Sequence, residues 1–447
     1  MKNTTPVSPD FTQVAERLIQ RGSFLTAGEV DWIRAQTAAL TPSSDLDAWL
    51  QPGTALLNDP EQLKIRVIEQ GEPAATRIAG LPRRMFAIMK ATRLCNLRCK
   101  YCNAWRAGPN QVMTFEVLAQ STREILQSGV PCVDFVWHGG EVTLLDIDFF
   151  RKARWLQTRY QRPGQEVSNS IQTNATILTD EWAQFFRENK FAVGVSLDAM
   201  ATFHDENRLD VADKETWSRV LKGLGILRRN DVEFGLLVVV TARLAACDPA
   251  AILSFLASTG STGVSFVNVI PDNKATDIAQ DPHYLPFSEY VAFLQRIHGV
   301  WRRDYSTRLR VRELDALEKL LIDGTPRICV HAGHCMGEFL TVEPDGMVAA
   351  CDKYVGDPNY TFGTIAAPGS LARLYETEKL AAARQVAAAD TANMKACPFF
   401  SLCNGGCPHD NRLSKIFDRK WAGNCCGLGP LLEDIRESLP RREPSVT

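Results

Sequence analysis

The sequence lacks any run of apolar residues that approaches the roughly 20 needed to span a membrane. Its first ten residues have no apolar core of the kind found in a signal peptide. It also lacks a basic excess, since 50 basic and 52 acidic residues leave a net charge of −2, and so nucleic acid is not expected as a main partner. These absences predict a cytoplasmic protein with neither a membrane nor a nucleic-acid partner.

Cysteine is absent from residues 1–94, and thirteen cysteines follow. In a reducing cytoplasm, clustered cysteines are metal ligands more often than disulfides. Three of them form a Cys-x3-Cys-x2-Cys run at Cys95, Cys99 and Cys102, and eight more lie within residues 329–426. The partition predicts one compact metal site and a second, cysteine-rich region.

The compact triplet fits an iron–sulfur cluster better than zinc, because zinc sites usually use spaced cysteine pairs. A redox pair at Cys99 and Cys102 would leave Cys95 idle. A [4Fe–4S] cluster normally takes four cysteines, so three leave one iron open to a small molecule that carries an amine and a carboxylate. The isolated Cys132 and Cys247 have apolar or small neighbours and are expected to be buried core thiols.

The chain is long enough for two or three domains, since 447 residues exceed what one hydrophobic core usually serves. Between residues 84 and 324, strand-like runs alternate with amphipathic helical patterns. This alternation predicts a parallel sheet with right-handed crossovers, here a partial (β/α)6 barrel with its site at the carboxyl ends of the strands. The predicted strands are 85–91, 132–138, 167–173, 191–197, 234–240 and 263–270, and the predicted helices are 114–128, 146–160, 180–189, 216–229, 249–258 and a longer stretch at 287–322.

Residues 1–80 predict a mainly helical extension without a chemical motif. Helical patterns cover 9–21 and 27–40, and 63–69 could be a strand. The Thr-Ala-Gly-Glu sequence that starts at Thr26 is typical of a capping box. Two roles stay open for this extension: a cap on the next domain, or a docking site for a partner or leader peptide.

The triplet, with Tyr101 directly before its third cysteine, resembles the motif of the radical S-adenosylmethionine (SAM) superfamily. Gly139-Gly140-Glu141, at the end of the second predicted strand, looks like the Gly-Gly-Glu motif of that family, with Val142 where proline is usual. The resemblance implies SAM and a [4Fe–4S] cluster, which together supply a radical that takes hydrogen from the substrate. It also implies that the glycines let the backbone approach the methionine part of SAM and that the glutamate receives its ammonium group.

Later strand ends resemble the peptide-modifying branch of the same family. By that resemblance Ser196 would meet the ribose hydroxyls and Arg208 the methionine carboxylate. Thr173 or Asn174 could line the same pocket, and Asn268 would lie near adenine. The structural alternatives are a surface ion pair for the arginine and a strand-end cap for the serine.

The late cysteines flank a predicted hairpin around Pro-Asp-Gly and continue as Cys-x5-Cys-x3-Cys, which resembles the SPASM domain with its two auxiliary iron–sulfur clusters. The resemblance assigns Cys329, Cys335, Cys351 and Cys407 to the first cluster and Cys397, Cys403 and Cys425 to the second. Met394 stands where the second set usually has another cysteine, so Cys426, Asp390 or no residue supplies the fourth ligand. Two zinc ions are an alternative for these thiolates.

Asp352 is the candidate catalytic base, because formylglycine-forming relatives carry an aspartate directly after the equivalent of Cys351. The adjacent anionic cluster is expected to raise its pKa; the alternative is a turn residue at the hairpin end. Those relatives usually have Gln before Gly-Gly-Glu and Tyr two residues after the third cysteine. His138 and Ala104 stand there instead, which predicts a different substrate pocket with His138 as a second candidate catalytic residue.

The sequence thus predicts an extension (1–80), a radical SAM partial barrel (81–324), a SPASM region (325–430) and a tail (431–447). The predicted function is an oxidoreductase that modifies a peptide side chain, most specifically by installing a crosslink (cyclophane, ether or thioether) in a ribosomally made precursor peptide with a leader. Flavodoxin or ferredoxin would be the reductant. The alternatives are formylglycine formation on a sulfatase and a non-catalytic iron–sulfur scaffold that binds a peptide, against which the predicted SAM pocket argues.

Overall fold

The computed structural model describes most of the chain from residue 80 onwards. The described residues are 26–29, 32, 80–102, 111–270, 283–354, 356–365 and 367–439. The expected helix at 9–21, the expected strand at 63–69 and Ala104 lie outside them. The predicted capping box is confirmed, since the amide of Thr26 donates to Oε2 of Glu29 at 2.8 Å and the amide of Glu29 donates to Oγ1 of Thr26 at 3.4 Å.

The described N-terminal residues contact the helices of the barrel. Lys152 Nζ lies 2.6 Å from Glu29 Oε1. The rings of Trp32 and Phe115 meet edge to face with their centroids 5.9 Å apart. For these few residues, the contacts agree with the capping role.

Among the described residues, ten strands form one sheet in the order β10-β9-β8-β1-β2-β3-β4-β5-β6-β7. In chain order they are β1 (Arg84–Thr92), β2 (Cys132–Gly139), β3 (Glu166–Thr173), β4 (Ala192–Ser196), β5 (Phe234–Val240), β6 (Gly263–Asn268), β7 (Arg310–Val311), β8 (Phe339–Val342), β9 (Met347–Ala349) and β10 (Thr361–Thr364). Strands β1 to β7 are parallel to their neighbours. The predicted parallel barrel sheet and all six predicted strands are confirmed.

Helices cover the sheet and connect its parallel strands. They are α1 (Phe115–Gln127), α2 (Ile147–Tyr160), α3 (Asp180–Glu188), α4 (Ala201–Asn207), α5 (Trp217–Arg229), α6 (Ala242–Ala245), α7 (Pro249–Ser258), α8 (Phe287–Val300), α9 (Arg312–Asp323), α10 (Ser370–Tyr375), α11 (Glu378–Ala392), α12 (Phe400–Cys403), α13 (Pro408–Phe417) and α14 (Gly429–Ser438). Several helices begin where the sequence predicts. A Thr or Asp side chain before the helix accepts a hydrogen bond from a backbone amide of the first turn, as Thr114 and Thr179 do.

The predicted long helix at 287–322 is wrong as a single element. After α8 the chain passes through a π-helical turn, Trp301–Tyr305, and then forms β7 before α9 begins. Leu309 is fully buried, and the indole of Trp301 donates to its carbonyl oxygen at 2.6 Å. Burial of this segment beside β6 therefore overrides the helical pattern.

The predicted hairpin of the cysteine-rich region extends the barrel sheet. β8 pairs in parallel with β1, and Phe339 stacks on Phe86 with ring centroids 4.4 Å apart. β9 returns antiparallel after a turn at Asp345. A buried ion pair between Arg93 and Glu343, 2.5 Å apart, joins the barrel and the hairpin beside this ladder. The hairpin is therefore built onto the strand that leads into the cysteine triplet.

The structure differs from the sequence prediction in the burial of two isolated cysteines. Cys132 and Cys247 are half-buried and not core thiols, because one lies at the start of β2 and the other beyond the end of α6.

Within the described segments, no helix has the length and apolar character to cross a membrane.

Candidate functional site

The cysteine triplet forms a loop directly after β1 that is tied to the segment after α4. The amide of Arg98 donates to the carbonyl of Leu209 at 2.7 Å, and the amide of Lys100 donates to that of Asn207 at 2.9 Å. Burial raises the pKa of Cys95 to about 11 and that of Cys99 to about 12. Such buried thiols become thiolates only when a cationic centre compensates their charge, as iron does. The donor set therefore fits an iron–sulfur cluster.

Gly139 and Gly140 make room for this loop. A Cβ atom on Gly140 would collide with the carbonyl of Leu94, and one on Gly139, whose φ is +135°, would collide with the carbonyl of Thr92. The amide of Gly140 donates to Thr92 O and the amide of Glu141 donates to Leu94 O, each at 2.7 Å. The close approach that the glycines permit is thus to the cysteine loop, whereas the sequence analysis expected an approach to SAM.

The carboxylate of Glu141 is hydrogen-bonded to other groups of the protein. It accepts hydrogen bonds from Thr143 Oγ1 and Thr173 Oγ1, each at 2.6 Å, and from the amide of Asn174, also at 2.6 Å. Glu141 is almost completely buried, so the expected contact of its carboxylate with an ammonium group does not fit this geometry. Thr173 and Asn174 likewise hold loops and do not line the cavity described next: the side-chain Nδ2 of Asn174 donates to Asn96 Oδ1 at 2.9 Å.

A cavity of about 590 Å³ opens at the carboxyl ends of the barrel strands. Its wall brings together cysteines of all three predicted sets, and it extends from the triplet to the cysteine-rich region. The predicted site residues on the wall are Cys99, Tyr101, Cys102, His138, Ser196, Arg208, Asn268, Cys329, Asp352, Cys407 and Cys426. This volume matches that of pockets that enclose small-molecule ligands.

Arg208 is held in the cavity wall beside Tyr101 by a carboxylate that the sequence analysis did not single out as a site residue. Asp198 accepts from Arg208 Nη2 at 3.2 Å and from the Tyr101 hydroxyl at 2.7 Å. The guanidinium lies 5.3 Å from the centre of the Tyr101 ring. Although burial opposes it, the Asp198 carboxylate raises the pKa of Arg208. Its Nε finds no acceptor among the described residues, so one buried donor remains for an anionic group.

Polar side chains at three further strand ends face the same cavity. Ser196 lies at the end of β4, and its hydroxyl accepts from Gln172 Nε2 at 2.9 Å. Asn268 ends β6 and donates to the carbonyl of Leu285 at 2.8 Å. Gln172 itself lines the cavity and was not predicted, although its place next to the end of β3 is the signal that could have identified it.

Asp352 lies on the cavity wall, held by two groups from the ends of β1 and β2. Lys90 forms an ion pair with one of its oxygens, and His138 Nε2 lies 3.8 Å from the other. Burial raises the pKa of Asp352, but Lys90 and His138 outweigh it, and the result is a pKa of about 2. Lys90 and His138 thus act in the direction opposite to the increase expected from an adjacent anionic cluster, and no local sequence pattern indicates that Lys90 faces this carboxylate.

His204 supports the pocket from behind and was also missed. Its Nδ1 accepts from the amide of Asp198 at 3.4 Å, and its Nε2 lies 3.0 Å from Thr216 Oγ1, which donates to the carbonyl of Arg208 at 2.5 Å. This pattern requires the neutral ring with the proton on Nε2. Burial lowers the pKa of His204 to about 4. The neutral imidazole thus positions both members of the Asp198–Arg208 pair.

Protonation of His204 is expected to destabilise the protein in mild acid. Folding lowers the pKa of His204 from 6.5 to about 4. The stabilisation by the neutral ring is therefore complete above pH 6.5 and is lost as the pH falls toward 4. By about pH 5 the free energy of unfolding has fallen by about 2 kcal/mol. Denaturant unfolding of wild type and His204→Gln, which keeps one acceptor and one donor, should show a shallower acid loss in the variant. Identical pH profiles would contradict this role.

The first predicted auxiliary set is gathered around Lys353. Burial raises the pKa of Cys335 to about 11 and that of Cys351 to about 12, and a neighbouring thiolate adds to each increase. Lys353 Nζ lies 3.7 Å from Cys407 Sγ and 2.6 Å from Asp410 Oδ1. Over the described parts of the chain, no three His, Cys, Asp or Glu side chains surround a single-ion position. A cubane is wider, since each cysteine binds a separate iron.

Comparisons with known proteins agree with this arrangement. The sequence model of the radical SAM superfamily matches residues 89–243 of this chain. A cysteine-type anaerobic sulfatase-maturating enzyme of Clostridium perfringens is 30% identical over 335 residues, which are 73% of this chain and 89% of that protein. A serine-type anaerobic sulfatase-maturating enzyme of Klebsiella pneumoniae is 30% identical over 352 residues, 76% of this chain and 87% of that protein.

Two solved structures share the fold. Native anSMEcpe with bound AdoMet and the Kp18Cys peptide is 28% identical, with a TM-score of 0.69 over 79% of this chain and 96% of that one. Streptococcus suis SuiB bound to its precursor peptide SuiA is 13% identical, with a TM-score of 0.54 over 89% of this chain and 84% of that one. The second likeness concerns the fold alone.

Proposed function

This chain belongs to the radical SAM family that includes the anaerobic sulfatase-maturating enzymes, and we propose that it installs a crosslink between residues of a ribosomally made precursor peptide. A radical SAM enzyme of this family uses SAM and a [4Fe–4S] cluster and modifies peptide or protein side chains. The observation that carries the proposal is one cavity whose wall contains Cys99 and Cys102 of the triplet together with Arg208 and Asp352. A carboxylate this close to a cofactor pocket can act on the substrate itself.

The residues of the pocket bind and orient the cofactors. Cys95, Cys99 and Cys102 would hold the cluster, which together with SAM supplies a radical that takes a hydrogen atom from a substrate carbon. Arg208 would bind the carboxylate of the methionine part, and Ser196 would meet the ribose. Held in place by Asp198, the arginine loses little freedom on binding.

Asp352 would accept the proton that the substrate must lose. Removal of a hydrogen atom, a proton and one electron amounts to a two-electron oxidation of the peptide, which closes a carbon–carbon, ether or thioether bond. Lys90 and His138 hold the carboxylate in the cavity wall. Cys329 and Cys407 lie on the same wall, so an auxiliary cluster held there is close enough to take the electron.

The difference at His138 supports a crosslink over formylglycine formation. The sulfatase-maturating pattern has Gln before Gly-Gly-Glu, whereas here an imidazole faces the candidate base at 3.8 Å. A second difference, Ala104, leaves that position without the usual phenol. Both differences from the sulfatase-maturating pattern favour a different substrate pocket.

The test uses anaerobically reconstituted protein with dithionite, SAM and two kinds of peptide: a sulfatase-type peptide with a Cys or Ser, and short peptides encoded beside this gene. We expect 5′-deoxyadenosine and a product that has lost a hydrogen pair, resists a hydrazide aldehyde probe and shows a gap in its fragment-ion series. A hydrazide-reactive product from the sulfatase-type peptide alone would instead establish formylglycine formation. Absence of 5′-deoxyadenosine with every peptide would support the non-catalytic scaffold.

A further inference from the structure

The second auxiliary set contains four neighbouring sulfurs, one more than the three cysteines that this chain keeps at the family positions. Cys403 Sγ and Cys426 Sγ are 3.7 Å apart. The thiol of Cys425 lies close enough to interact with the thiols of both Cys397 and Cys426. The four thiols therefore form an unbroken series, and the two adjacent cysteines both point into it.

Glycines allow two neighbouring cysteines to share one site. Gly427, directly after Cys426, has a φ of +89°, so the backbone turns sharply there. A Cβ atom on Gly406 would lie 2.7 Å from Cys426 Cβ and 3.3 Å from its sulfur. Any larger residue at 406 would thus push the Cys426 side chain away from the other three sulfurs.

Asp390, the alternative side chain for the fourth ligand, has less support than Cys426, and so has the residue at the usual position. Met394 is almost completely buried and occupies the place of the usual cysteine with a thioether, whereas iron–sulfur clusters are held by cysteine thiolates. Asp390 lies in α11 with its carboxylate 3.9 Å from Lys415 Nζ. Neither residue takes part in the sulfur contacts, whereas Cys426 is buried and does.

We propose that Cys397, Cys403, Cys425 and Cys426 are the four ligands of the second auxiliary [4Fe–4S] cluster, with Cys426 in place of the cysteine that Met394 replaces. The cluster is then fully ligated and has no open iron for the substrate, so its role is electron transfer. The sulfurs have to spread when the cluster enters, since 3.7 Å is a direct contact. Because Cys426 also lines the main cavity, one ligand of this cluster lies at the cavity wall. The ligand set holds whatever product the enzyme makes.

The test measures iron, sulfide and the Mössbauer spectrum of the full-length reconstituted protein without SAM or substrate. We expect Cys426→Ala to lower the iron content from about twelve to about eight per chain, or to give a three-iron cluster visible by electron paramagnetic resonance. Cys426→Ser should lose less, because an alkoxide can replace the thiolate. The matched control is Cys247→Ala, a half-buried cysteine outside all three sets.

A rescue variant separates ligation from folding. Adding Met394→Cys to Cys426→Ala should restore about twelve irons, because it restores the usual family ligand. Cys426→Ala with full iron and an unchanged spectrum would overturn the proposal, and so would loss of both auxiliary clusters together without rescue. Failure of the peptide assay leaves these metal readouts unaffected, so the two proposals fail separately.

Discussion

Cys102→Ala is expected to abolish 5′-deoxyadenosine formation while leaving the auxiliary clusters in place. Cys102 lies on the cavity wall with Cys99, and its amide donates to the Cys99 carbonyl at 3.1 Å, so the loop fold survives loss of the thiol. Two thiolates hold a cubane poorly, and the iron content should fall from about twelve to about eight per chain. Product analysis by chromatography and an iron assay on the same sample check both parts.

The matched control for this variant is Cys247→Ala, which removes a thiol of similar exposure far along the chain. It should keep its iron and its SAM cleavage. SAM cleavage by Cys102→Ala at a rate within about tenfold of wild type would contradict the assignment of the triplet. Loss of all iron would instead show that the substitution had unfolded the protein.

Asp352→Asn is expected to uncouple SAM cleavage from peptide modification. Asparagine keeps the shape of the side chain and one acceptor for Lys90, but it cannot take a proton. Loss of a general base costs about 10²- to 10⁴-fold in rate, so modified peptide should fall by that factor while 5′-deoxyadenosine stays within about twofold of wild type. Simultaneous quantification of both products by mass spectrometry gives the ratio.

Asp345→Asn is the control, since this exposed aspartate caps the turn of the same hairpin and lies away from the cavity. It should leave the ratio unchanged. If Asp352→Asn lowers both products in parallel, the residue acts by holding the hairpin and not by accepting a proton. A pH profile of peptide modification, displaced in the variant, would be the further mark of a proton acceptor.

Local patterns were sufficient to predict the barrel and the placement of the cysteines. All six strands and the capping box at Thr26 depend on neighbouring residues in the sequence, and their alternation dictates a parallel sheet. The triplet is equally local. The strand ends then bring Ser196 and Asn268 to one cavity, because the carboxyl ends of parallel strands share an edge; Arg208 joins them from the end of α4.

What could not be predicted depends on contacts across long stretches of sequence. Lys90 and Asp352 are brought together only because β8 pairs with β1, and no short-range pattern encodes that pairing. The sequence predicts a ligand contact for Glu141, because it does not show which protein groups bind the carboxylate. Those groups, from Thr143, Thr173 and Asn174, come from the ends of two different strands. The buried His204 escaped notice because a single histidine carries no spacing signal.

The ladder between β1 and β8 has a mechanical consequence. The strand that delivers the chain to the triplet is hydrogen-bonded to the hairpin that leads to Asp352 and the first auxiliary set, and Arg93 and Glu343 clamp the same junction. A hinge between the triplet and the first auxiliary set would have to break this continuous sheet. The distance between these two groups of cysteines is therefore set by backbone geometry.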